Sequence, residues 1–241
     1  MIVVRPAILL DAVHNWDTVI ERRLTALRNV QQFEYGCGAI PAKFPPGRTS
    51  VATRDLPDDS NRLPLVKIHG SVNWLYCDNC RQLYWFPADD AVSVAMQLLT
   101  HREGRDLRVT QVDDCEKWHC LSCTSVPLTT RIATFSFLKA LDFPMFEKSW
   151  FLAEGLLRQA RKWVFIGYSL PAADYEFKHL LKRVELSRSK RPEFVVITGG
   201  SKQDTEYAYR NYQRFFGRDI KKKKNFFRHS LSDKAIQAAH E

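Results

Sequence analysis

Six cysteines stand in the chain, and four of them form two Cys-x-x-Cys pairs. Cys77 and Cys80 frame Cys-Asp-Asn-Cys, and Cys120 and Cys123 frame Cys-Leu-Ser-Cys. A two-residue gap lets one turn aim two thiolates at a single ion, and four thiolates make the closed tetrahedral site of structural zinc. In a chain without an export signal, such pairs mean metal rather than disulfides. The spacing therefore predicts Zn2+ held by Cys77, Cys80, Cys120 and Cys123. The 39 residues between the pairs exceed the roughly 15–20 of a compact zinc ribbon, so an insert must loop out. Cys115 and His119 offer alternative ligands, but only Cys120 and Cys123 keep the two-residue gap. Cys37 reads as a buried or loop thiol.

Three more segments place polar groups where a strand gives out. The first is Lys67-Ile68-His69-Gly70-Ser71-Val72-Asn73-Trp74. His69 falls at a strand's carboxyl end, where open α/β sheets bind their ligands. Gly70 permits a close backbone approach or a positive φ. The competing reading is a satisfied core histidine; what weighs against it is the cysteine pair that begins only eight residues on. The second segment is Asn15-Trp16-Asp17, between a strand and a helix from Thr18. Asp17 is also accounted for as the N-cap of that helix. The third is Phe165-Ile166-Gly167-Tyr168-Ser169-Leu170-Pro171-Ala172-Ala173-Asp174, again at a strand's carboxyl end. Gly167 and Ser169 there would offer backbone N–H groups and a hydroxyl to a ligand.

The elements that must position these residues show in the apolar pattern. Strands are expected at 7–13, 65–69, 83–86, 163–168 and 194–198. Helical spacing marks 18–30, 145–161, 172–186 and 202–216, with a further helix at 88–101. The order helix 145–161, strand, helix 172–186, strand predicts a parallel sheet with helices on its faces. Residues 34–64 hold five of the eleven prolines and read as a loop excursion, of the kind that often acts as a lid. The expected organisation is a Rossmann-like domain over 1–76 and 124–220, a zinc-binding insert over 77–123, and a basic, polar tail over 221–241.

Composition bounds the function classes. The chain has 241 residues, 45% hydrophobic and 12% aromatic, which excludes an intrinsically disordered chain. No stretch approaches the ~18 apolar residues of a membrane span. The apolar start at 2–10 is broken by Arg5 and Pro6 and has no cleavage-site pattern, so the reading is a soluble cytoplasmic protein. Residues 1–177 carry 20 Lys+Arg and 20 Asp+Glu, whereas 178–241 carry 16 and 7, the whole net charge of +9. That basic segment is either a solvated helix face or a surface for nucleic acid or another polyanion.

Taken in order, Asn15–Asp17, the His-Gly-Ser-x-Asn-Trp strand end, the split cysteine module and Phe-Ile-Gly-Tyr-Ser-Leu-Pro-x-x-Asp resemble the sirtuin-like family, in its bacterial branch. The resemblance runs from about residue 8 to about residue 217. It implies a Rossmann-like fold that binds NAD and breaks the nicotinamide–ribose bond. Some members pass the ADP-ribosyl group to an acyl-lysine; others, especially in this branch, hydrolyse NAD, often in phage defence. On that resemblance His69 is a general base, Asn15 holds the ribose hydroxyls or the attacking water, and Asp17 accepts from the nicotinamide amide. Gly167 and Ser169 touch the adenine-ribose side. The family's Gly-Ala-Gly-x-Ser turn, which puts backbone N–H groups on the pyrophosphate, has no counterpart here. The Gly36-Cys37-Gly38 and Gly199-Gly200 pairs do not replace it. The expectation is therefore an N-terminally incomplete sheet, with neighbouring strand edges left bare, and a chain inactive on its own. The missing part would then lie upstream of a truncated chain, or a partner would supply it. The alternative is a degenerate, non-catalytic zinc-containing module acting through a protein or nucleic-acid partner.

Overall fold

Along Lys162–Ile166 the sequence Lys-Trp-Val-Phe-Ile alternates two apolar faces, the period-2 pattern of a strand buried on both sides. Trp163 and Phe165 join one core with Phe194 and Val196, while Val164 meets Val195 and Ile197 on the opposite face. The computed structural model describes residues 2–4, 8–11, 18–25, 32–56, 62–90, 94, 118–124, 126–130, 144–199, 201–217, 220 and 226–228.

In chain order the strands are β1 (Ile2–Val4), β2 (Ile8–Asp11), β3 (Gln32–Glu34), β4 (Ile40–Lys43), β5 (Ala52–Thr53), β6 (Arg62–Lys67), β7 (Trp74–Tyr76), β8 (Leu83–Trp85), β9 (Lys162–Ile166), β10 (Glu193–Thr198) and β11 (Phe226–Arg228). The helices are α1 (Val19–Thr25), α2 (Pro144–Gln159), α3 (Tyr175–Leu186) and α4 (Lys202–Phe216). A 3-10 turn spans Ala88–Asp90. No described helix is long and apolar enough to cross a membrane.

Seven strands form the larger sheet, in the order β11-β10-β9-β1-β2-β6-β3. The pairs β11–β10, β10–β9, β2–β6 and β6–β3 are parallel, and β1 runs antiparallel to both β2 and β9. The bare edges expected beside a missing central strand are thus not there. Ile2 sits opposite Leu10 on one side and Phe165 on the other, so β1 takes up the ladder groups of both neighbours. The α-β-α-β run from α2 to β10 is as expected, and each helix shows why it docks. On α3, Phe177, Leu180, Leu181 and Val184 recur at helical spacing and are all buried. On α4, Ser201 and Asp204 form a reciprocal capping box that satisfies two orphan N–H groups, and Thr205, Ala208, Tyr212 and Phe216 are buried. These helices cover the Trp163/Phe165 face together with Ala153 and Leu157 of α2. From the other side of β6, α1 reaches Lys67 through Glu21.

The stretch 34–64 is not simply a loop. Ile40–Lys43 and Ala52–Thr53 are strands of a second sheet, in the order β5-β4-β8-β7, with β4 parallel to β8. The hairpin β7–β8, which carries the first cysteine pair, is antiparallel with Tyr76 opposite Leu83. Of the helix expected at 88–101, the described part is the turn Ala88–Asp90 and residue 94. The segment 12–17, and with it the Asp17 cap, lies outside the described residues, as do the tail 229–241 and the lysine run 221–224.

Candidate metal centre and strand-end site

The two cysteine pairs meet. The Sγ atoms of Cys77, Cys80, Cys120 and Cys123 all lie within 4.8 Å of one another. Cys77 is 3.4 Å from Cys123, and Cys80 is 3.3 Å from Cys120. A tetrahedron of sulfurs at the Zn–S bond length of about 2.3 Å has edges of about 3.8 Å, so the cluster matches a zinc ion in size and in donor set. Each pair is built on the same turn. Arg81 N–H donates to Cys77 O at 2.8 Å, and Thr124 N–H donates to Cys120 O at 3.2 Å. The residue closing each turn is left-handed, with φ of 59° at Arg81 and 49° at Thr124. The β7–β8 hairpin holds the first turn through Cys77 N–H to Gln82 O, 2.9 Å. The second is held by backbone bonds from His119 to Thr49 and from Val51 to His119, at 2.7 and 3.1 Å. His119 therefore serves the ladder and is not part of the four-sulfur cluster, while Cys115 lies outside the described residues.

The four thiols are not equivalent. Burial pushes Cys77 and Cys80 up, against backbone hydrogen bonds that lower them. Burial opposes ionisation at Cys120 too, but there the Tyr84 hydroxyl and the backbone N–H groups of Cys123 and Ser122 hold the thiol below its ordinary value. Tyr84 Oη lies 3.1 Å from Cys120 Sγ, and Ser122 N–H reaches the same sulfur at 3.4 Å. A divalent ion supplies the charge that the low-dielectric pocket lacks, and binding it displaces the thiol protons.

His69 lies two residues past the end of β6 and is 5% exposed. Its ring meets Trp150 of α2 edge-on, centroids 6.1 Å apart, while Trp150 Nε1 donates to Ile68 O at 3.2 Å. Gly70 takes φ +84°, which lets the chain turn back after His69. Below this turn lies a polar network. Lys67 Nζ is 2.7 Å from Glu21 Oε1 and donates to Ser71 Oγ at 2.8 Å, with the Lys67 and Glu21 side chains 1% and 2% exposed. Tyr35 donates its hydroxyl to Glu21 at 3.2 Å, and Asn73 donates to Phe86 O at 2.6 Å. Three elements are tied together here: α1, the end of β6, and the strand β8 next to the metal centre. Sequence reasoning singled out His69 within the segment 67–74 but gave Lys67 no role and did not reach Glu21. The signal was a lysine between the apolar Val66 and Ile68 at the end of β6.

The 167–174 loop leaves β9 at the same edge of the sheet, because β6 and β9 run in one direction. Three strand spacings separate them, about 14 Å at roughly 4.8 Å each. Gly167 has φ +67° and an open face, but its N–H is committed to Ile197 O at 2.8 Å, so the expected ligand donor is already used. Asn211 donates to Ser169 O at 2.9 Å, and the Ser169 side chain is half-buried. Tyr168 donates to Asp174 at 2.8 Å and accepts at its carbonyl from Tyr212 at 3.0 Å, which fixes the loop onto α3 and α4. Asn15 and Asp17 lie outside the described residues. Gly36 and Gly38, at φ +68° and +74°, belong to the crossing from β3 to β4 rather than to a strand-end phosphate turn.

The molecule is thus an α/β chain in which a largely parallel sheet, covered by helices, adjoins a smaller sheet bearing a four-cysteine centre. No protein-family model matches it, and no curated protein does. Among solved structures it is similar to a sirtuin described under the structural basis for sirtuin substrate affinity, at 15% identity and a TM-score of 0.32, over 64% of this chain and 58% of that one. It is likewise similar to Sir2 with a p53 peptide and NAD+, at 16% identity and a TM-score of 0.32, over 64% of this chain and 56% of that one. The chain therefore spans less than two thirds of either.

Proposed function

We propose that this chain is a sirtuin-like NAD-consuming protein with a structural zinc centre, and that, against the expectation of inactivity drawn from the missing phosphate turn, it cleaves the nicotinamide–ribose bond with water, rather than an acyl-lysine, as the acceptor. The observation that carries the reading is His69, buried at the carboxyl end of β6, in a sheet whose parallel strand β9 ends in the 167–174 loop at the same edge. That edge is where open α/β sheets bind nucleotides. The bond cleaved passes through an oxocarbenium-like transition state. His69 acts there as general base on the ribose or the incoming water, a role that typically contributes 10²–10⁴-fold. Asn15 holds the ribose hydroxyls, Asp17 accepts from the nicotinamide amide, and the open face at Gly167 with the Ser169 hydroxyl borders the adenine ribose. Cys77, Cys80, Cys120 and Cys123 hold zinc in a closed, structural role. Sir2 with NAD+ and a peptide is a neighbour in fold only; the residues named here are what support the reading.

A second reading, a non-catalytic zinc-bearing module that binds a protein or nucleic acid, is favoured by one specific observation. The sequence has no Gly-Ala-Gly-x-Ser turn, and among the described strand ends the Gly167 N–H is already taken by Ile197 O. Isothermal titration with NAD, paired with a nicotinamide-release assay on the full chain, separates the two. Micromolar binding, with release abolished by His69→Ala, supports the first. No binding at millimolar NAD rejects it and leaves the second.

A further inference from the structure

Away from His69, a cleft of about 430 Å³ opens between the two sheets. Its walls come from α1, from the chain following β3 and β5, and from the Trp85–Asp89 exit of β8. The apolar part is Phe33, Leu56, Trp85 and Pro87, with Tyr35 packed edge-on against Trp85, ring centroids 5.3 Å apart. That volume lies inside the range of small-molecule sites, which combine an apolar wall with a few convergent polar groups.

The polar groups here are two arginines. Arg22 is anchored at the rim by a 3.1 Å bond from Nη2 to Ala88 O. Arg54 is half-buried, and among the described residues no hydrogen bond or ion pair reaches its guanidinium, although the Asp90 carboxylate is near enough to feel its charge. Of the acids on the wall, Glu21 is neutralised by Lys67 at 2.7 Å, and Asp89 is exposed. With Glu21 paired, the wall keeps two guanidiniums against one carboxylate, Asp89, which leaves it one net positive charge that Asp90, beside Arg54, offsets in part. A guanidinium fork beside an apolar wall suits a carboxylate or phosphate, with two parallel N–H···O bonds.

We infer that this cleft binds a small organic anion, a carboxylate or phosphate carried on a flat apolar body, with Arg54 and Arg22 as its counter-charges. The site shares no residue with the His69 loop, so the inference stands whether or not NAD is bound. The test is isothermal titration of the full chain with benzoate and with phenyl phosphate, using benzamide and phenol as neutral controls. At least one anion binds, and binds tighter than its neutral counterpart. The anion preferred tells a carboxylate ligand from a phosphate one. Arg54→Gln weakens that binding at least tenfold and Arg22→Gln several-fold, with thermal melts unchanged because both side chains reach solvent. Binding of neither anion, or an Arg54→Gln affinity within twofold of the unsubstituted chain, overturns the assignment.

Discussion

Lys67 and Glu21 are the charged side chains most deeply withdrawn from water in the neighbourhood of His69. Taking two such charges out of water costs several kcal/mol per ion, and their attraction offsets this only while both remain. Geometry supplies the rest: the ammonium also reaches Ser71, and the carboxylate also accepts from Tyr35. Lys67→Met leaves Glu21 buried without a counter-ion and should cost about 3–5 kcal/mol, read from urea denaturation. Glu21→Gln in the Lys67→Met background should cost less than the sum of the two single changes, because the stranded charge is gone. A loss below about 1 kcal/mol in Lys67→Met would mean that water reaches the pair and screens it. The residue scale is also where the sequence is read unevenly. The cysteine pairs declare their chemistry through spacing, and His69 through its place after an apolar run. Glu21 and Lys67 become partners only in three dimensions, 46 residues apart, and nothing local to either one signals the other.

Elements with a long, regular pattern were legible. α3 and α4 each bury four or more side chains at helical spacing, and α4 begins at the capping box its sequence spells. β4 and β5 were not legible, for physical reasons. β5 has two residues, and β4 contains Pro41, which lacks a ladder donor and ordinarily argues against a strand. Pro41 is accommodated because its carbonyl accepts from Arg54 N–H at 2.9 Å, so the ladder uses the one group proline retains. β1 was hidden for another reason, since three residues cannot show that they enter a sheet antiparallel between two parallel neighbours. Gly36 lies in the stretch 34–64 that was expected to be a loop, yet it has an element-level task. It has φ +68°, and a Cβ there would lie 2.1 Å from Leu152 Cδ2 on α2. The chain crosses from the larger sheet to the smaller one at this point, pressed against the helix. Gly36→Ala should therefore force the half-buried Leu152 side chain off its rotamer at about 0.5–1.5 kcal/mol, in addition to the strain of a left-handed alanine. Gly47→Ala, also at positive φ but with nothing within 4 Å, should carry only the strain. Placing Gly36→Ala in a Leu152→Ala background removes the clash and should recover the difference. An unchanged cost there would put the whole effect in the backbone.

Across the whole molecule, the apolar interior divides in a way that decides what the metal holds together. One cluster packs α2, α3 and α4 on β9 and β10 and contains no metal ligand. Another gathers Ala42, Val51, Leu75, Tyr84, Phe86 and Leu128 around Cys77 and Cys120. A third, with Tyr35, Trp74, Trp85 and Phe146, joins the two sheets. The metal-side cluster is small, and all four cysteines belong to it or pack against it. Structural zinc supplies about 10–16 kcal/mol in isolated finger peptides, whereas an entire domain is stable by about 5–15 kcal/mol. With zinc bound by the four cysteines, the smaller sheet should therefore depend on the ion and the helix-covered sheet should not. The protein should carry about one zinc per chain by elemental analysis. Cys77→Ser, Cys80→Ser, Cys120→Ser and Cys123→Ser should each lower that content, while Cys37→Ser, at a thiol outside the cluster, leaves it unchanged. After chelation, hydrogen exchange should accelerate first at the backbone amides of Tyr76, Cys77 and Phe86, which bond within or beside the smaller sheet. Val195 and Ile197 in β10 should stay protected. The order of loss carries the argument, because the Tyr35–Trp74–Trp85 contacts couple the sheets. If that coupling outweighs the ion's local role, both sheets exchange at one rate once zinc is removed, and the smaller sheet is then no separate unit of stability. Sequential exchange, with β10 the slower, assigns the zinc to holding β4, β5, β7 and β8 in place beside the His69 edge.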